Sequence, residues 1–162
     1  MPQKVLKTQI GFNHYVIKVN TEGITDEESL RSPRPGGNCI NWVLGHILAS
    51  RASILELFGS EGILSEDQAE SYRRGSDPLN ESSRTMAIAE ILDGLERTQE
   101  MILSGLDSLD DAGMARVIPE SPFGRDEETV ASLLAGLVFH ESYHVGQTGL
   151  LRRLAGYEGA IK

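Results

Sequence analysis

Two histidines four residues apart, in the string His140-Glu141-Ser142-Tyr143-His144, carry the clearest chemical signal in the chain. On a helix, residues i and i+4 lie one above the other on nearly the same face, so both imidazoles can chelate one ion. The string is literally HExxH, and Glu141 sits where a zincin carries its general base. A zincin also takes a third ligand downstream of that helix and an adjoining sheet. Few residues follow His144, and Glu158 is the sole later carboxylate side chain. Upstream, Asn41-Trp42-Val43-Leu44-Gly45-His46 offers His46 as a third imidazole, one turn beyond Trp42. Three neutral histidines suit zinc or nickel and leave coordination positions open for water or substrate. The competing reading is that each ring bonds a backbone carbonyl or a carboxylate of another helix.

Further residues belong to the same neighbourhood. Gln147 shares the histidine face and either orients a bound water or substrate or bonds the bundle backbone. Glu141 is a candidate general base or a partner that orients a ligand, with a solvated side chain as the alternative. Tyr143, Trp42 and His14 are candidate substrate-pocket residues; packing is the simpler role for Trp42, and His14 reaches the site only if its row of the first helix faces inward. Cys39, the single cysteine, reads as a small buried hydrophobe.

The elements that position these residues are helical. Apolar residues recur at three- and four-residue spacing in four segments, and convincing strands are missing. The first helix covers about Lys4 to Val19, with Val5, Phe12, Val16 and Val19 on one face and Ile10, His14 and Ile17 on an adjacent one. Thr25-Asp26-Glu27-Glu28 matches a capping box for one short turn, and Ser32 to Gly37, with Pro33 and Pro35, is a loop. The second helix starts near Asn38, buries Ile40, Val43, Ile47, Ile54 and Leu57, and ends before Gly59. A long connection follows, with a helical turn at Glu66 to Tyr72. A serine cap at Ser82 or Ser83 opens the third helix, which carries Ile88, Ile91, Leu92, Leu95, Ile102 and Leu106. The fourth starts at Asp126-Glu127-Glu128 and ends at Arg152-Arg153 before Gly156. Its heptads place Val130, Leu137, His144 and Leu151 on one seam and Leu133, His140, Gln147 and Leu154 on the other. The expected fold is all-α, a four-helix bundle with a long connection between helices 2 and 3. Gly45, Gly136, Gly146 and Gly149 lie in the two ligand-bearing helices, where they allow close helix approach, the simpler reason, or leave a cavity over the metal for a substrate.

Composition narrows the function classes. The 162 residues fit one domain spanning 1–162, and the net charge of −9 opposes binding to nucleic acid or to an anionic membrane surface. No span or targeting segment is evident, and one cysteine suits a reducing cytoplasm.

Taken together, the TDEESL stretch at Thr25–Leu30, Trp42-x-x-Gly45-His46, Pro122-Phe123-Gly124, the closing His140-xxx-His144-x-Gly146-Gln147 and the LRRLAG that ends at Gly156 resemble the DinB-like superfamily, also called the DinB/YfiT fold. The resemblance implies a four-helix bundle in which one histidine of the second helix and two of the last bind a divalent metal; His46, His140 and His144 match them one for one. It also implies a function. Members include thiol-dependent S-transferases and an isomerase that uses low-molecular-weight bacterial thiols. The leading expectation is therefore a divalent-metal enzyme acting on a small-molecule substrate with a thiol cosubstrate. The alternatives are a metal-assisted hydrolase with Glu141 as base, and a non-catalytic helical interaction protein with a structural metal. A homodimer is expected, with apolar residues such as Phe58 contributing to the contact.

Overall fold

Four long amphipathic segments can bury their apolar stripes only against one another, and in the computed structural model they do. It describes residues 2–34, 36–79, 83–119, 121 and 123–161. The long helices are α1 (Pro2–Thr21), α3 (Ile40–Glu56), α5 (Ile88–Ser108) and α7 (Val130–Leu154), with short helices α2 (Asp26–Ser29), α4 (Glu66–Tyr72) and α6 (Asp111–Ala115) in the connections. Helix α1 packs on α7 and α5, and α3 packs on the same two, so the four close into a ring α1-α7-α3-α5. Two strands of two residues each, β1 (Val117–Ile118) and β2 (Glu128–Thr129), pair antiparallel with Val117 opposite Thr129, a small addition to the expected strand-free chain. Among the described residues no helix is long and apolar enough to cross a membrane.

The caps explain several boundaries. Thr25 and Glu28 form the expected capping box of α2. Ser65 and Gln68 form another that starts α4, and Thr129 with Ser132 starts α7. The expected serine cap of the third helix is not what begins it. Ser82 lies outside the described residues, as do Pro35 and Pro122 of the motifs above, and α5 starts at Ile88 behind Ala87, which has no capping side chain. Its free amides are met from elsewhere: Glu90 accepts from Ala87 N at 3.1 Å, and Asp26 Oδ1 of α2 accepts from Ile88 N at 2.7 Å.

The core has two apolar clusters stacked along the bundle axis. One gathers Ile17, Leu44, Ile47, Leu95 and Val145, the other Ile10, Ile54, Leu55, Ile102 and Val138. Between them each long helix contributes a buried polar residue: Asn13, Arg51, Thr98 and Glu141. Arg51 Nε and Nη2 each donate to one oxygen of Glu141 at 2.9 Å. Its Nη1 donates to Thr98 Oγ1 at 2.9 Å and to the Leu95 carbonyl at 2.5 Å, while Asn13 Nδ2 donates to Glu141 Oε1 at 3.4 Å. A buried guanidinium and carboxylate are tolerated because every charged atom has a partner.

This layer corrects the expected seam of the last helix. The buried residues of α7 are Val130, Leu133, Leu134, Val138, Glu141, Val145, Thr148 and Leu151, so Val130, Leu133 and Leu151 of the expected seams are buried, whereas Leu154 is exposed and Glu141 is buried rather than solvated. In α1 the Ile10, His14 and Ile17 row faces inward, and Val5 and Phe12 face out. Phe58 packs inward, its ring over Gly105 of α5.

Candidate metal centre

His140 and His144 lie on the shoulder of the α7 stripe that faces α3, half-buried, and His46 of α3 is buried opposite them. Their Nε2 atoms converge. His140 Nε2 is 3.3 Å from His46 Nε2 and 3.2 Å from His144 Nε2, and the three lie within 4.8 Å of one another. Zinc bonds imidazole nitrogen at about 2.0–2.1 Å with tetrahedral angles, which requires a nitrogen spacing of about 3.3–3.4 Å. Two of the three spacings match that value, and three imidazole donors suit a borderline divalent ion.

Hydrogen bonds at the far side of two rings orient them. His46 Nδ1 donates to the Tyr72 carbonyl at 2.7 Å; a carbonyl only accepts, so the proton is on Nδ1 and Nε2 presents a bare lone pair. His144 Nδ1 donates to Gln147 Oε1 at 2.9 Å with the same result. Trp42 stacks on His46 with centroids 4.7 Å apart and planes 10° apart, and its indole N–H donates to Ser76 Oγ at 2.8 Å. Tyr143 is exposed and meets His144 edge-on at 5.2 Å.

Electrostatics favour the neutral rings that metal coordination needs. Burial pushes the His140 pKa down to about 4, helped by His144, His46 and the Arg74 guanidinium and opposed by Glu141. Burial likewise lowers His46, against a smaller opposing effect of its bond to the Tyr72 carbonyl. Because both pKa values are depressed, the unfolded chain binds more protons than the folded one in the interval below its own value. Metal-free protein should keep this contribution above the unfolded value of 6.5 and lose it as pH falls toward about 4. Thermal melts across that range should show a steeper acid loss for the wild type than for His140→Gln; identical slopes would remove the assignment.

Both Glu141 oxygens are bonded to Arg51, and the metal-compatible cluster among the described residues holds only the three imidazoles, so Glu141 is built into the core layer. Gln147 acts on the His144 ring. His14 is not brought to the triad. It bonds Glu96 Oε2 of α5 at 2.9 Å and lines a separate cavity of about 610 Å³ between α1 and α5 with Ile17, Ile88 and Leu92. Cys39 is buried at the N-cap of α3, and burial raises its thiol pKa.

Sequence reasoning missed Tyr72 and Arg51. The Tyr72 ring lies directly on Gly45, where an added Cβ would come within 2.2 Å of Cδ1. Its hydroxyl donates to Asn41 Oδ1 at 2.9 Å and accepts from Met86 N at 2.8 Å, so the carbonyl that holds His46 is itself anchored. The signal available was Gly45, one residue before a histidine inside a helix. Gly45→Ala should displace the ring, with an overpacking cost of about 1–3 kcal/mol and a metal affinity reduced about 10–100-fold. Thermal denaturation and competitive metal titration check this, and unchanged affinity would contradict it. Gly136 similarly receives the Phe123 ring, and Gly149 receives Asn20, whereas a Cβ added at Gly146 would point into open space.

Comparison with known proteins bears on the fold and the family. A conserved protein from Enterococcus faecalis has a similar solved structure, with a TM-score of 0.72 at 16% identity over 94% of this chain and 95% of that one. That likeness is one of fold. A search of curated proteins returns no match. The sequence profile of the DinB superfamily matches residues 18–148, a stretch that contains all three converging histidines together with the connection that orients His46, and the chain therefore belongs to the DinB superfamily.

Proposed function

We propose that His46, His140 and His144 hold one divalent ion, zinc or nickel, and that the chain is a metal-dependent enzyme transferring a low-molecular-weight thiol to a small electrophilic substrate. The observation that carries the metal reading is the spacing of three Nε2 atoms, two of them with their protons fixed on the opposite nitrogen. A three-imidazole set leaves a coordination position open, and the ion would supply there a lowered thiol pKa. The protein's own residues do the rest. Tyr72 and Gln147 aim the rings, Trp42 shields one face of His46, and desolvation keeps His46 and His140 neutral. Thiol transfer itself rests on superfamily membership, which carries fold further than reaction.

Engagement of both Glu141 oxygens by Arg51 weighs against the hydrolase alternative, in which that carboxylate would activate water. Elemental analysis of the purified chain should find about one ion per chain. Isothermal titration with a small thiol should then give binding that disappears on chelation, with no turnover of peptide or ester substrates. Ester hydrolysis lost in Glu141→Gln with metal retained would favour the hydrolase instead. We further propose a homodimer in the cytoplasm; Phe139, Leu150 and Leu154 form an exposed apolar row on α7 that supports self-association.

A further inference from the structure

The connection after α4 returns to the triad at two points. Tyr72 O accepts from His46 Nδ1, and four residues later Ser76 Oγ accepts from the indole of Trp42, whose ring stacks on His46. Between these anchors the chain makes a tight turn. Ser76 N donates to Arg73 O at 3.1 Å, and Gly75, third in the turn, takes φ +83°, a left-handed conformation suited to glycine. Ser76 Oγ also donates to the Ser71 carbonyl at 3.0 Å, so the turn is closed on itself as well as tied to the site.

Arg74 occupies the second position of this turn, two residues from each anchor, which keeps its Cα within about 7 Å of both. Its guanidinium is exposed, on a turn bonded at one end to the His46 ring and at the other to the Trp42 indole. The neighbouring Arg73 is engaged by Glu70 at 3.2 Å, whereas among the described residues no hydrogen bond or ion pair engages Arg74. A positive group held beside three neutral ligands is unfavourable for a lone cation, since the two charges repel. It becomes favourable when the incoming ligand carries a negative group that both can meet. A guanidinium fork matches a carboxylate, and a fixed turn lowers the ordering cost of presenting it.

We propose that Arg74 determines specificity at this site, selecting ligands that carry a carboxylate close to the atom that meets the histidine triad. The inference rests on the metal reading above and narrows the thiol class to acidic thiols.

The test uses the full chain loaded with cobalt(II), with the sulfur-to-cobalt absorption band as readout and two thiols as probes, 3-mercaptopropionate and neutral 2-mercaptoethanol. Wild type should bind the acidic thiol about 10-fold more tightly or better, as expected for a charge-assisted hydrogen bond. Arg74→Gln should erase that preference while leaving cobalt content and 2-mercaptoethanol binding unchanged, and Arg74→Lys should retain part of it. A preference that survives in Arg74→Gln would overturn the proposal, because the carboxylate would then be meeting the cobalt or another group. Equal affinity of wild type for the two thiols would overturn it as well. A wild type with no visible cobalt spectrum before any thiol is added would fail differently: the metal reading falls, and this inference with it.

Discussion

His140→Ala should abolish stable metal binding while leaving the helices folded. His140 Nε2 is the central donor of the cluster, 3.3 Å and 3.2 Å from the other two, so its loss leaves a pair rather than a three-point site. Loss of an outer partner of a ligand typically weakens metal affinity 10–100-fold, and loss of a ligand should exceed that, about 100-fold or more. The fold should survive because the ring is half-buried beside the core stripe and its burial disfavours charge. Elemental analysis after dialysis, together with circular dichroism, checks both halves of the expectation. Full metal occupancy in the variant would remove the proposed centre, and a collapsed spectrum would assign the histidine to the core.

Breaking the buried ion pair should have the opposite signature, a large loss of stability. Arg51 is 1% exposed and Glu141 is 5% exposed, and removing either leaves an uncompensated charge in the core. Arg51→Ala or Glu141→Ala should each cost about 3–5 kcal/mol, a fall in Tm of roughly 6–20 °C for a chain of this size. Replacing both partners by apolar residues of similar volume, Arg51→Met with Glu141→Leu, should restore most of that stability. Chemical denaturation of the two single variants and the double variant gives the coupling directly. Additive losses in the double variant would show that the pair is not the energetic unit.

The layer also shows which sequence signals were legible. In every long helix two core residues seven apart bracket a polar one: Ile10 and Ile17 enclose Asn13, Ile47 and Ile54 enclose Arg51, Leu95 and Ile102 enclose Thr98, Val138 and Val145 enclose Glu141. Each interval is a heptad with a polar residue in its seam, and each helix alone reads as an ordinary amphipathic stripe with one irregularity. Only their alignment at one level of the bundle reveals a network, and alignment depends on connections whose geometry periodicity does not carry. The last helix misled for a related reason. Leu133 and Leu151 are buried in line with the histidines, and Leu134, Val138 and Val145 are buried in line with Glu141, so the seam could be drawn through either.

Local signals fared better. The capping box of α2 and the helical turn from Glu66 to Tyr72 follow from neighbouring residues, as does the ending of α7 before Gly156. The convergence of His46 with His140 and His144 was legible because an i, i+4 histidine pair in a bundle needs partners. By contrast, the hold of Tyr72 on His46 spans 26 residues through a backbone carbonyl, which no side-chain pattern announces. The capping of α5 by Asp26 across 62 residues was hidden for the same reason.

Anomalous diffraction from crystals grown with zinc or nickel, recorded on either side of the absorption edge, tests the metal centre most directly. One peak per chain is expected, bonded at about 2.0–2.1 Å to Nε2 of His46, His140 and His144. A triad without anomalous density, or an ion bound at other residues, would contradict it.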